Sequence, residues 1–182
     1  ASSSAIAIGN NATAGGSLTN GSIAIGELAS STHANTVAIG TLAVASDQNA
    51  VALGAAAKAL GEDAISMGTA AVANSGDSIA IGSSANTSGS AYSGIAIGYN
   101  AKSVEGAIAI GENAYAESTI GDDGKAWLSV AVGMESIAEG LDAAAFGTRA
   151  KAQSDFGTAV GNYANTSARN ATAVGNAASA SG

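Results

Sequence analysis

Ser-Ile-Ala-Ile-Gly at 22–26 returns as Ala-Ile-Ala-Ile-Gly at 107–111 and, with variation, ten more times along the chain. Aligned on the closing glycine, the copies end at Gly9, Gly26, Gly40, Gly54, Gly68, Gly82, Gly98, Gly111, Gly133, Gly147, Gly161 and Gly175, at intervals of 17, 14, 14, 14, 14, 16, 13, 22, 14, 14 and 14. No other feature limits the fold as much. A unit this short cannot enclose a core of its own, so copies have to stack and bury their apolar faces on one another.

Within each unit the residue before the glycine is large and apolar (Ile8, Ile25, Leu53, Met67, Phe146), and the residue two before it is Ala except at Ser66. Three before it stands Ile or Val as far as Val130, then Ala144, Thr158 and Thr172. Large, small, large at consecutive positions is a period of two, the mark of a short strand with two unlike faces. A second alternating segment follows, with Ala three residues after each glycine, Ser136 excepted, and a small residue five after it. Gly, Asn, Asp and Ser fill the remainder, as turns require. Each unit therefore reads as strand, turn, strand, turn, and twelve stacked coils predict an all-β rod roughly 55 to 60 Å long with parallel, in-register strands about 4.8 Å apart. The hydrophobic rule places Ile23, Ile25, Ile79 and Ile81 inside the roll and Ala24 and Ala80 outside, where a flat alanine row would let a second rod approach closely. The repeat glycines from Gly26 to Gly175 are expected at sharp bends that a Cβ would obstruct.

Composition agrees with a thin core. The 182 residues are 47% apolar but hold only Trp127, four Tyr and two Phe as aromatics, with 25 Gly, no Pro and no Cys. That is too hydrophobic for ordinary disorder and too poor in rings for a bulky core. The lack of Cys excludes disulfides and thiolate metal sites. No apolar run of eighteen residues and no basic leader occurs, so neither a membrane span nor a signal peptide is expected. A net charge of -8 with only six Lys and Arg argues against nucleic acid as a partner. Charge is uneven: 105–142 holds eight acids against Lys125, whereas 143–182 holds Arg149, Lys151 and Arg169 against Asp155.

At "SIAIGELAS", "VAIGTLAVAS", "SIAIGSSANTSG" and "AIAIGENAYAES" the chain resembles the head repeats of trimeric autotransporter adhesins, the kind typified by the Yersinia adhesin, over all twelve copies. The resemblance implies a left-handed parallel β-roll of about twelve 14-residue coils, assembled as a homotrimer, with 1–182 forming one head domain. It also implies a role: such heads stand at the cell surface on a stalk anchored in the outer membrane. They bind host matrix proteins such as collagen, fibronectin and laminin, host cells, or other adhesin heads. No heptad repeat and no barrel-strand series is legible, so the sequence reads as a head alone. Ala144, Thr158 and Thr172 depart from the pattern and leave the packing of the last coils open.

Interruptions of a solenoid emerge as loops and often carry binding. The largest falls in the 22-residue interval, at 117–129, and contains the chain's single Trp. There Asp122, Asp123, Lys125 and Trp127 combine a large ring with charges, a composition common at interaction hot spots, and are the candidate ligand-binding residues. "DDG" at 122–124 lacks the spaced acids of a calcium loop and reads as a turn. Smaller loops are expected at 15–21 and 87–94. The repeated outer surface could equally bind through many weak contacts.

Two other functions fit less well. "IGENAYA" and "VGNYANT" partly match the hexapeptide repeat of left-handed β-helix acyltransferases, but those coils have three strands and a period near eighteen. Their chemistry generally needs a base, usually His, and His33 stands alone in the turn "STHANT" with no partner set by spacing. An ice-binding solenoid needs a Thr ladder, and the position four before the glycines varies through Ser22, Thr36, Ala50, Gly94 and Ser129. Five Asn-x-Ser/Thr sequences, at Asn11, Asn20, Asn86, Asn165 and Asn170, are expected from composition alone. No cofactor and no metal is expected.

Overall fold

The structure, a computed structural model, describes residues 4–16, 21–89, 93–120 and 126–181. The expected loops at 15–21 and 87–94 lie partly outside them. No helix occurs among the described residues; the chain is a parallel β-solenoid built of coils with a basic length of about fourteen residues. Contacts divide it into two compact units, Ala1–Asn86 and Thr87–Gly182.

In the first unit the strands that precede the glycines are Ile6–Ile8, Ile23–Ile25, Val37–Ile39, Val51–Leu53, Ile65–Met67 and Ile79–Ile81. They pair in parallel in that order, each residue beside its equivalent in the next coil, as in Val37↔Val51, Ala38↔Ala52 and Ile39↔Leu53. The segments after the glycines form a second parallel sheet through Thr13–Ala14, Ser30–Ser31, Val44–Ala45, Lys58–Ala59 and Val72–Ala73.

The second unit repeats the scheme. Its first sheet runs Ile95–Ile97, Ile108–Ile110, Val130–Val132, Ala144–Phe146, Thr158–Val160 and Thr172–Val174. Its second runs Lys102–Val104, Tyr115–Glu117, Ile137–Ala138, Lys151–Ala152, Asn165–Thr166 and Ser179–Ala180. Register survives irregular spacing: Ile6 pairs with Ile23, Ile95 with Ile108 and Ile108 with Val130, so intervals of 17, 13 and 22 residues are absorbed outside the strands. The departures Ala144, Thr158 and Thr172 keep the same register.

The two faces of the first sheet are the reverse of the sequence expectation. Ala24 and Ala80 are wholly buried, while Ile23, Ile25, Ile79 and Ile81 lie on the outer face, partly open to solvent. Every fully buried hydrophobic side chain among the described residues is in fact an alanine. Each regular coil turns four small residues inward: in one, Ala38 in the first strand with Thr36 just before it, and Ala45 in the second with Ala43 just before it. The cause is the length of the coil. Fourteen residues supply two strands of two or three residues and two tight turns, which hold the sheets too close for Ile but well spaced for a methyl or hydroxyl. Each buried methyl contributes about 0.8 kcal/mol, little singly but repeated in every coil. The alanine row cannot then provide a surface for a second rod.

Serines and threonines share this interior because the backbone is within reach of most of them; the Ser22 and Thr166 hydroxyls are buried without a partner among the described residues. Ser66 Oγ donates to the Ala71 carbonyl at 2.8 Å, Ser78 Oγ to Ser75 at 2.6 Å and Ser136 Oγ to Gly133 at 2.8 Å. Ser31 Oγ and Thr36 Oγ1 lie 2.6 Å apart, and Thr36 donates to the His33 carbonyl at 2.7 Å. Buried hydroxyls satisfied in this way cost little.

Both turns of a coil close alike. Ala43 N–H donates to Gly40 O, and Ala50 N–H to Asp47 O, each at 3.2 Å. The third residue of each turn is left-handed, Leu42 at φ 60° and Asn49 at φ 58°. The repeat glycines take φ of 130–137°, a region that side chains avoid. A Cβ on Gly40 would also lie 2.4 Å from the carbonyl oxygen of Gly54 in the next coil. The expected bend is present, and stacking of successive glycines makes the residue doubly necessary.

Candidate binding surfaces

With alanine inside, three outer features remain that could meet another molecule. The first is the apolar row on the first sheet. Ile39 is 39% exposed, Met67 and Phe146 each 41%. These side chains stand in ladders in which an aliphatic neighbours an aliphatic coil after coil, Ile25 beside Ile39 and Ile39 beside Leu53.

The second is the interruption at 117–129. Thr119–Ile120 and Ala126–Trp127 form a short antiparallel hairpin with Thr119↔Trp127 and Ile120↔Ala126 in register. Its base is held in the core: Ser118 N–H donates to Val104 O at 3.0 Å, Ser129 N–H to Ser118 Oγ at 3.1 Å, and Ser129 Oγ to Gly140 O at 2.7 Å. Ser118 and Ser129 are buried. The predicted site residues Asp122, Asp123 and Lys125 lie outside the described residues, and Trp127 is placed by its backbone in the hairpin.

The third is a cleft that the sequence reading missed. It lies in the second unit, has a volume of about 370 Å³, and is lined by Asn113, Tyr115, Glu135, Ile137, Arg149, Lys151 and Tyr163. Two rows form it. Asn113, Glu135, Arg149 and Tyr163 are the left-handed residues of four successive first turns, with φ of 54–57°. Tyr115, Ile137 and Lys151 are the outward residues of three neighbouring strands in the second sheet. Arg149 ties the first row together, donating from Nε to Glu135 Oε2 at 2.7 Å, from Nη2 to Glu135 Oε1 at 3.2 Å, and from Nη1 to the Tyr163 hydroxyl. Its guanidinium also lies 5.4 Å from the centre of the Tyr163 ring.

These contacts shape the electrostatics. Hydrogen bonds to Glu135 and then Tyr163 raise the Arg149 pKa, and the Arg149 hydrogen bond lowers that of Glu135. Tyr115 is pushed up to about 12 by burial and by its neighbour Glu117, whose Oε2 accepts from the phenol at 2.5 Å. On the same ring sits Lys102, its Nζ 5.5 Å from the centre. A usable signal was present in the sequence: Glu135, Arg149 and Tyr163 are spaced by fourteen, as are Ile137, Lys151 and Asn165, so the period makes each set neighbours.

Among the described residues nothing comparable surrounds His33, whose Nδ1 lies 3.3 Å from Thr32 Oγ1 in an exposed turn. Among the described residues no group of three or more His, Cys, Asp or Glu could hold a metal ion.

A family model described as the YadA head domain repeat (2 copies) matches residues 20–43, 34–57, 45–71, 59–85 and 138–164, together just over half of the chain. The chain belongs to the YadA head family. A comparison with curated proteins finds no match. The YadA head match falls in both compact units, on coils whose strands, glycines and turns are those described above. As a YadA head the chain is an adhesin-type, surface-exposed protein. The departure at 117–129 and the cleft residues Asn113 and Tyr115 lie between the matched segments, whereas Arg149, Lys151 and Tyr163 lie within the last one.

Proposed function

We propose that residues 1–182 form one adhesive head that works as a homotrimer and attaches a cell to host extracellular matrix proteins of the collagen, fibronectin or laminin class, to host cells, or to other heads. In this reading a stalk and an outer-membrane anchor outside 1–182 present the head at the cell surface. The head acts by contact and carries no chemistry of its own.

The observation that supports assembly is the outward aliphatic row. Soluble monomers seldom leave contiguous apolar ladders in water, and a copy of the same chain presents a matching row. Self-association thus keeps its place in the reading, on Ile25, Ile39 and Leu53 in place of the alanines. Multi-angle light scattering checks it directly: a mass of three chains is expected, and a monomer at every concentration would sink the trimer.

Attachment is tested by sedimenting the head with collagen, fibronectin and laminin. Within this reading Asp122, Asp123, Lys125 and Trp127 supply the ligand contact. Deleting the eight residues 120–127, which restores a fourteen-residue interval and keeps Ser118 and Ser129, should then abolish binding while leaving assembly intact. Unchanged binding would move the contact to the repeated outer faces.

A further inference from the structure

The geometry points to the cleft between Tyr115 and Tyr163 as a binding site for a carboxylated pyranose, a sugar ring of the uronic-acid class. This rests on the reading of the chain as an adhesive head and names a ligand class for it, carried by residues other than Asp122, Asp123, Lys125 and Trp127.

Size is the first argument. A volume of about 370 Å³ lies within the usual range for a small-ligand site, which begins near 300 Å³. Its chemistry is the second. Ile137 contributes an apolar side chain, and two tyrosines supply rings, Tyr163 being 49% exposed. Such surfaces suit the C–H face of a pyranose.

The donors still free are the third. A guanidinium has five N–H groups, and Arg149 engages Nε, Nη1 and Nη2 once each, which leaves two N–H groups, one on Nη1 and one on Nη2. The Tyr163 hydroxyl accepts from Arg149 and keeps its own proton to donate. Asn113 accepts through Oδ1 from Asn100 at 2.9 Å, and its amide N–H groups stay available. Lys151 is the one lining cation without a side-chain partner among the described residues.

Acceptors, by contrast, are largely engaged. Both Glu135 oxygens face Arg149, and Glu117 takes the Tyr115 phenol. Glu139, which also bears on Tyr115, accepts from Gln153 Nε2 at 3.2 Å. A site rich in unused donors selects a ligand rich in acceptors. On a chain of net charge -8 an anion can be held only locally, which here means by Lys151. An acidic side chain of a peptide would satisfy Lys151 but would leave the two rings and Ile137 without a ring face to cover.

Saturation-transfer NMR on the assembled protein, with glucuronate, glucose and glutarate as separate probes, tests the assignment. Glucuronate should bind about tenfold more tightly than glucose, the loss expected for one charge-assisted hydrogen bond, and more tightly than glutarate. Lys151→Gln should remove most of that preference while leaving the melting temperature unchanged, and Tyr163→Ala should weaken glucuronate and glucose alike. Equal binding of glucose and glucuronate, or a Lys151→Gln protein that still prefers glucuronate, overturns the proposal. Glutarate binding as well as glucuronate also overturns it, in favour of an acidic peptide. Matrix sedimentation run in parallel separates the two levels: a head that binds matrix but not glucuronate loses this site only, and one that binds no surface loses the adhesive reading.

Discussion

The outer faces of the two sheets stand on the same alanine interior and differ in almost everything else. On the first, Ile23, Ile25, Val37, Ile39, Val51 and Leu53 repeat one chemistry. On the second, the outward position holds Ser30, Val44, Lys58 and Val72 in one unit and Lys102, Tyr115, Ile137, Lys151 and Asn165 in the other. Burial of the inward residues fixes the coil, and the outward ones are then free of it. A face that meets a copy of itself gains from uniformity, because every rung then has the same partner. A face that meets a foreign ligand gains from local variety, and variety is concentrated where Tyr115, Arg149, Lys151 and Tyr163 lie.

The sharpest way to break the contrast is to attack what both faces share. Ala38→Leu inserts three carbons into a closed interior and should cost about 3 kcal/mol or more, so thermal melting should show loss of the fold instead of a shifted midpoint. Gly40→Ala meets the Gly54 carbonyl at 2.4 Å and a φ of 136°, and should cost about 2 to 3 kcal/mol in denaturant titration.

Substitutions on one face should be selective. Ile39→Asp places a charge on the uniform row without touching the interior; light scattering should show a smaller mass, and circular dichroism of the dissociated chain should retain its strand signal. The reverse result, loss of strands with no change in mass before unfolding, would mean that the row is structural. A gain is expected at Ala70, left-handed at φ 55°: Ala70→Gly relieves a strain of about 1 kcal/mol and should raise the melting temperature slightly.

The smallest effect belongs to the second face. The Arg149 hydrogen bond holds the Glu135 carboxyl below its ordinary value of 4.5, so its contribution is present above that pH and is lost as pH falls through the lowered value. Melting temperatures measured downward from pH 6 should show a slightly weaker acid dependence in Arg149→Ala. At the alkaline end Tyr115 acts oppositely: its neutral form is favoured by folding, so that contribution is intact below 10 and fades as pH rises towards about 12.

Period two in Ile-Ala-Ile announced a strand with unlike faces, and the fourteen-residue interval announced stacking in register. Neither said which face is inside. Both Ile and Ala are apolar, so the rule that hydrophobic residues are buried had no polar alternative to work against, and it chose the larger side chain. The second strand held the missing clue. Position four after the glycine is Lys58, Lys102 or Lys151 in some copies, which only an outer face admits, while positions three and five are small throughout. Small is therefore inside. The interruption at 117–129 was legible as an excess of eight residues over the period, though as a loop and not as a pair of antiparallel strands. The cleft was not, since it depends on two rows lying side by side, one from turns and one from strands, and a period relates residues only along a row.

In-register stacking also means that the chain is written in interchangeable lines. Val44 N–H donates to Ala57 O, and Lys58 is the equivalent of Val44 one coil later, so removal of 44–57 would join Ala43 to Lys58 with every later residue still in phase. A gene built this way can gain or shed one coil at a time by recombination between its own repeats, altering how far the head reaches without redesigning how it folds.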